Sequence, residues 1–258
     1  MFDTRGGIPV VLLFTLCVAA PAANPQRARN VIFFVGDGAG LSSLNAASLH
    51  GYGEPQALFV QHMPHVAWAD TSSSAEWVTD ASAAATAFAT GHKTKNGLLS
   101  ESPDGEKWKS LLEYAEEHSL STGVISNAGI TDPVVAAHYA HNQQRSKTAE
   151  IFLDALNPRF GDGVDVMIGS RRTNLLEQTA KADHDIAKDL AAHNHAFLDS
   201  LAVLRSVKER SRVVVSLDDD YFDLHTAVDE AIRILSANPK GYLLTLLSKT
   251  GQTCSAAC

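Results

Sequence analysis

Acidic and hydroxyl side chains stand at two places where the chain could hold a cation or a phosphate group. At the first place, Asp37 lies between two glycines, directly after the apolar run at residues 30–35. This pattern is typical of a buried strand that delivers an acid into a tight turn. Glycines on both sides of Asp37 let a metal or a phosphate approach the backbone closely. The same pattern also fits a plain turn, so Asp37 needs partners before it indicates chemistry.

The second place is the segment 78–91, in which Thr79, Asp80 and Ser82 open an alanine-rich run. A hydroxyl at the start of a helix lies at the positive end of the helix dipole, where phosphoryl charge is stabilised. Small side chains would let this helix pack tightly beneath a pocket. The alternative interpretation is structural, with an N-cap Asp or Thr followed by an alanine packing face.

Strand and helix signals alternate along the chain. Strands are predicted at residues 30–35, 122–126, 164–168, 213–216 and 242–247, and helices at 41–50, 79–90, 111–118, 134–141, 148–156 and 224–235. The stretch 174–207 is polar and helix-prone. This alternation predicts an α/β protein, a three-layer sandwich around a mainly parallel central sheet. Ligands bind beyond the carboxyl ends of strands in such sheets, which is where Asp37 stands.

The composition is typical of a globular protein and excludes several other classes. The 258 residues are 45% hydrophobic and 19% charged, which does not fit a disordered or coiled-coil chain. Lys and Arg number 21 against 29 Asp and Glu, so the formal net charge is −8. A chain of this charge lacks the electrostatic footprint of a nucleic-acid-binding protein. We therefore expect small-molecule partners and no nucleic acid.

Residues 1–22 have the pattern of a secretory signal peptide. A lone Arg5 precedes an apolar run at 10–20, and Ala20-Pro21-Ala22 supplies a small-x-small cleavage site. The run is too short for a bilayer span of about 20 residues. We expect an exported protein, periplasmic or secreted, with no membrane anchor. The alternatives are an uncleaved amphipathic start or a core helix.

Motifs spread along most of the chain resemble the alkaline phosphatase family. They are the strand and Gly-Asp-Gly turn at 30–40, Val78-Thr79-Asp80 with Thr86, the segment 93–97 and the segment 238–244. The resemblance is to the amino-terminal portion of the family. It divides the chain into the signal peptide, an incomplete alkaline-phosphatase-like domain at 23–244 and a divergent tail at 245–258.

The resemblance implies a phosphomonoesterase that uses two zinc ions and one magnesium ion and forms a phosphoserine. Carried over residue by residue, Asp37 would bridge the magnesium and one zinc. Asp132 would occupy the place of a magnesium ligand, and Arg145 would clamp the phosphate with a bidentate guanidinium. Asp132 also fits a helix N-cap, because Pro133 would occupy the first helical position. Arg145 also fits a surface arginine in a polar loop.

Two departures from the family pattern bear on catalysis. The family has its nucleophilic serine directly after the Asp, whereas this chain has Ala81, whose methyl group cannot accept a phosphoryl group. Ser82 lies about 100° further around the helix, so it could serve as the nucleophile only if the preceding turn shifts. After Leu244 the family's magnesium and zinc ligands do not follow, and Leu247 stands where a glutamate ligand would fall. The zinc set is therefore incomplete in this chain.

These observations predict an alkaline phosphatase by ancestry, acting on small phosphate monoesters but impaired in this chain. Two alternatives stay open: a non-catalytic member that keeps a phosphate- or metal-binding pocket, and a related phosphodiesterase or sulfatase on the same core. The oligomeric state is also open, with a homodimer as one candidate. We further expect a free strand edge and exposed apolar surface around Asp37, because strands of the missing half would normally pair there.

Overall fold

The computed structural model describes residues 28–219 and 222–249. The signal peptide predicted at 1–22 and the last residues of the tail lie outside these ranges. The strands are β1 (Val31–Asp37), β2 (Ser121–Gly129), β3 (Val166–Ser170), β4 (His195–Leu198), β5 (Arg212–Ser216) and β6 (Tyr242–Lys249). The helices are α1 (Leu41–Tyr52), α2 (Ala81–Thr90), α3 (Leu111–Glu117), α4 (Pro133–Ala136), α5 (Thr148–Leu156), α6 (Arg172–Lys181), α7 (Ile186–Ala192), α8 (Leu201–Leu204) and α9 (Leu224–Leu235).

The strands form one parallel sheet in the order β1-β6-β2-β3-β5-β4. Strand β6 lies between β1 and β2, so that Leu244 is opposite Ile32 on one side and Gly123 on the other. Because every pair is parallel, the carboxyl ends of all these strands meet at one edge. The structure confirms the predicted α/β class, and this edge is where ligands bind in open sheets of this type.

Helices cover both faces of the sheet and form two separate cores. Side chains of β6 alternate between them, with Leu243 and Leu247 in one core and Leu244 and Leu246 in the other. This is the two-residue period of a strand. The first core includes residues of α2 to α7, and the second includes residues of α8 and α9. In the described ranges, no helix combines the length and the apolar character that crossing a membrane requires.

Two parts of the sheet differ from the sequence prediction. The stretch 174–207 contains strand β4 in addition to helices α6, α7 and α8. Strand β4 has four residues, of which only His195 is buried, and its short apolar run Ala196-Phe197-Leu198 lies within the stretch that was predicted to be helix-prone. Strand β6 extends to Lys249, and the boundary predicted at 244 therefore falls inside a strand.

Strand β1 is exposed, and the prediction of a buried strand was wrong in this respect. Ile32 and Phe34 are 46% and 59% exposed. Among the described residues, β1 lies at the edge of the sheet and pairs only with β6. Phe33 and Val35 face inward. The ring centroid of Phe33 lies 6.3 Å from that of Phe88 and 5.6 Å from that of His138, and Val35 packs against the first core. The exposed apolar surface expected near Asp37 is present, and it is formed by Val31, Ile32 and Phe34.

This surface should bind an environment-sensitive dye such as anilinonaphthalene sulfonate while the protein is folded. Further large exposed apolar side chains lie between β1 and α2 in the sequence, namely Leu41, Leu49, Phe59, Val66, Trp68, Trp77 and Val78. Exposed apolar patches mark missing partners or aggregation sites. We expect Phe34→Ser to lower dye fluorescence without lowering the melting temperature. Phe152→Ser, in the fully buried core, should lower the melting temperature. Absence of dye binding to the folded wild type would contradict this exposure.

Candidate functional site

The carboxyl edge of the sheet carries a polar cleft of about 350 Å³. It is lined by the turn after β2, the loop before α5, the start of α6 and the last residue of β6. Its charged lining residues in the described chain are Asp132, Arg145, Arg171 and Lys249. The cleft therefore combines two of the four site residues predicted from the sequence, Asp132 and Arg145, with two basic residues that were not predicted.

Asp80 links the start of α2 to the loop that carries Arg145. Its Oδ1 accepts a hydrogen bond from the Ala83 N–H at 2.9 Å, which makes Asp80 the N-cap of α2. Its Oδ2 accepts from the Gly97 N–H and from Arg145 Nη1, both at 3.0 Å. The backbone N–H of Arg145 donates to the Gly97 carbonyl at 3.0 Å. Arg145 is thus positioned by two contacts, the hydrogen bond from its backbone to Gly97 and the hydrogen bond from its guanidinium to Asp80.

The same contacts determine the charge state of Asp80. Partial burial raises the pKa of Asp80, but hydrogen bonds from Ala83, Arg145 and Gly97 outweigh it, so that the pKa is lowered. Asp80 is therefore ionised at neutral pH. Arg145 is 43% exposed and lines the cleft, so the N–H groups that do not contact Asp80 can donate to a bound anion.

Ser82, the nucleophile proposed from the sequence, is buried. Its side chain has no exposed surface, and its Oγ donates to Asp80 Oδ2 at 3.2 Å. Ala81 occupies the first helical position, directly after the N-cap. Ser82 is therefore the second residue of the helix in this structure. A nucleophilic role for Ser82 stays a prediction, and it requires a rearrangement that would release the hydroxyl from Asp80.

The two aspartates proposed as metal ligands lie in different settings. Asp132 lines the cleft and is the N-cap of α4, its Oδ1 accepting from the Val134 N–H at 3.1 Å, as the structural alternative predicted. Asp37 ends β1, and its Oδ2 lies 3.9 Å from Nζ of Lys249. Lys249 lines the cleft, so it connects Asp37 to the group of residues around Asp132 and Arg145.

Sequence reasoning missed Arg171 and Lys249. Arg171 directly follows β3, with a left-handed φ of 64° at the N-cap of α6. Lys249 is the last residue of β6, and both of its backbone polar groups bond to the side chain of Asn127, at 2.7 Å and 3.2 Å. One signal could have found them. Both basic residues stand at the carboxyl ends of parallel strands, where ligands are expected.

The described residues do not fit the zinc and magnesium set that the resemblance implies. Within 28–219 and 222–249, no group of three or more His, Cys, Asp and Glu side chains could hold a metal ion. The ammonium of Lys249 lies beside Asp37, and Leu247 is fully buried and apolar where a glutamate ligand was expected. Zinc requires a nearly complete tetrahedral set of ligands.

The fold and the cleft define an α/β protein whose parallel sheet carries a basic site at its carboxyl edge. The family model for alkaline phosphatase matches residues 28–194, more than half of the chain. The chain belongs to the alkaline phosphatase family.

Individual relatives agree with this assignment. Streptomycin-6-phosphate phosphatase of Streptomyces griseus is 32% identical over 195 residues, covering 70% of this chain and 42% of that protein. The structure of alkaline phosphatase from the Antarctic bacterium TAB5 has a TM-score of 0.73 at 26% identity, covering 85% of this chain and 65% of that one. A mutant of the TAB5 enzyme with Mg bound in its M3 site has a TM-score of 0.70 at 25% identity, covering 85% and 64%. The chain spans about half or less of the length of the curated relatives it matches.

Proposed function

We propose that the chain recognises the phosphate group of small phosphate monoesters through Arg145, and that hydrolysis is impaired in these 258 residues. The observation that carries this proposal is the pair between Arg145 Nη1 and Asp80 Oδ2, 3.0 Å apart at the start of α2. A guanidinium held by a carboxylate presents its remaining donors in one plane, which matches two oxygens of a phosphate. Family membership and the relative named for streptomycin 6-phosphate support this substrate class.

Impairment is supported by the groups that stand where chemistry would occur. Phosphoryl transfer through a covalent intermediate needs an accessible nucleophile. Here Ala81 supplies a methyl group, and the hydroxyl of Ser82 is buried on Asp80. These two observations favour a second candidate function, a phosphate-binding member of the family without turnover. The signal-peptide pattern at 1–22 supports export as part of the same proposal.

Replacing Arg145 by lysine should weaken the binding of inorganic phosphate about tenfold or more. Lysine keeps the positive charge but cannot form two parallel hydrogen bonds, and one hydrogen bond to a charged group contributes roughly 1.5–3 kcal/mol. Isothermal titration calorimetry measures the change directly. Arg205→Lys is the matched control, since Arg205 follows α8 and its side chain is 69% exposed. Equal affinities of the wild type and Arg145→Lys would contradict the assignment of Arg145.

A further inference from the structure

The cleft beyond β2, β3 and β6 brings three cationic side chains together. Arg145, Arg171 and Lys249 line it, and Asp132 is the one acidic residue among its lining residues in the described ranges. Oδ1 of Asp132 already accepts a hydrogen bond from the helix that it caps. Arg145 is paired with Asp80 and Lys249 with Asp37, and each keeps N–H donors beyond the one that faces its carboxylate.

The backbone of the sheet sets the positions of the two basic residues that the sequence reasoning missed. Lys249 pairs with Asp37 in the register of β6 on β1. Asn127, on the other neighbouring strand, accepts from its N–H and donates to its carbonyl. Arg171 lies at the junction of β3 and α6, and its carbonyl accepts from the Leu175 N–H at 3.0 Å. Both residues are therefore held by regular structure rather than by a long loop.

The ammonium of Lys249 supplies positive charge where the family resemblance places a metal. Its Nζ lies 3.9 Å from Oδ2 of Asp37, the carboxylate expected to bridge magnesium and zinc. An ammonium is a compact charge with three donors, so it can balance one carboxylate and still donate to a phosphate oxygen. A metal ion at Asp37 would have to displace this ammonium.

From this placement we infer that the cleft binds a phosphate-type oxyanion without a divalent metal, through Arg145, Arg171 and Lys249. The inference rests on the proposed function and adds to it that fixed cationic side chains take the place of metal ions. The cleft volume of about 350 Å³ is within the range of small-molecule sites, so a small phosphate monoester fits as well as free phosphate.

Titration of the 258-residue protein with inorganic phosphate tests the inference by calorimetry. One series uses buffer stripped of metal ions with a chelating resin, and a second series contains added zinc and magnesium. We expect saturable binding in the metal-free series, and a Kd about tenfold higher or more for Lys249→Met, the loss expected for one charged hydrogen bond. Lys249→Arg should retain most of the affinity.

A matched control is available on the same strand. Lys240 is exposed and lies just before the opposite end of β6, so Lys240→Met makes the same chemical change away from the cleft. It should leave the Kd for phosphate unchanged. Arg171→Met should weaken binding in the same direction as Lys249→Met. Thermal melting of each variant separates a loss of binding from a loss of folding. If Lys249→Met does not fold, the Kd of Lys249→Arg for phosphate is compared with that of the wild type instead.

The other outcomes overturn the inference in distinguishable ways. Binding seen only with added zinc and magnesium would refute the metal-independent site and leave the proposed recognition of phosphate standing. Binding in neither series would refute both. Metal-free binding that Lys249→Met and Arg171→Met leave unchanged would assign the anion to Arg145 alone and refute the role of the other two side chains.

Discussion

The 258-residue protein should hydrolyse a chromogenic phosphate monoester such as p-nitrophenyl phosphate far below the rates of roughly 1 to 1,000 per second that are typical of enzymes. We expect this result even with zinc and magnesium present. Ala81 stands where the family resemblance places the nucleophile, and Ser82 is fully buried with its hydroxyl donating to Asp80. Leu247 provides no metal ligand. Because groups that act as a unit lose most of their effect when one is removed, these changes together should abolish turnover.

Two variants test the reason for the low turnover that we expect. Ala81→Ser restores a hydroxyl at the first position of α2, but it leaves Leu247 in place, so we expect no recovery to the rates of typical enzymes. Ser82→Ala removes the buried hydroxyl. Turnover at enzyme-like rates in the wild type that disappears in Ser82→Ala would contradict our expectation. It would show that the start of α2 rearranges and that Ser82 is the nucleophile.

The sheet could be predicted where strands carry apolar runs. Parallel strands are buried on both faces, and β2, β3, β5 and β6 all have this character and contain at least two consecutive apolar residues. Strand β4 lacks this burial, since its pairing with β5 depends on tertiary packing rather than on its own sequence. An apolar run identifies a strand without showing what covers it. For this reason β1 was predicted correctly as a strand and wrongly as buried.

The site was predicted in part for a similar reason. Asp80 and Arg145 could be found because motif residues at the ends of elements indicate where those elements meet. The orientation of a hydroxyl could not be found this way. Ser82 lies one position beyond Ala81, and the N-cap geometry of Asp80 turns its Oγ inward. Lys249 was missed because its register against Asp37 depends on β6 inserting between two other strands.

The second large effect is expected in the pH dependence of stability, at a buried carboxyl group. Glu116 lies on α3 and is 4% exposed. Its Oε1 accepts from the hydroxyl of Thr122, and its Oε2 accepts from the Asp162 N–H at 3.3 Å. Burial, together with the carboxylates of Asp165 and Asp162, raises the pKa of Glu116 to about 7 against the lowering effect of its hydrogen bonds. The folded protein therefore retains a proton that the unfolded chain releases.

The sign of the effect follows from this difference between the two states. The contribution of Glu116 to the free energy of unfolding is fully present below about pH 4.5 and is lost as the pH rises to about 7. The loss is on the order of 3 kcal/mol. Glu116→Gln cannot ionise, so it should be more stable than the wild type at about pH 8 and show a flatter pH dependence in urea unfolding. Glu209→Gln, at an exposed position, is the control and should keep the slope of the wild type. The same slope in the wild type and Glu116→Gln would show that Glu116 is already ionised in the folded protein.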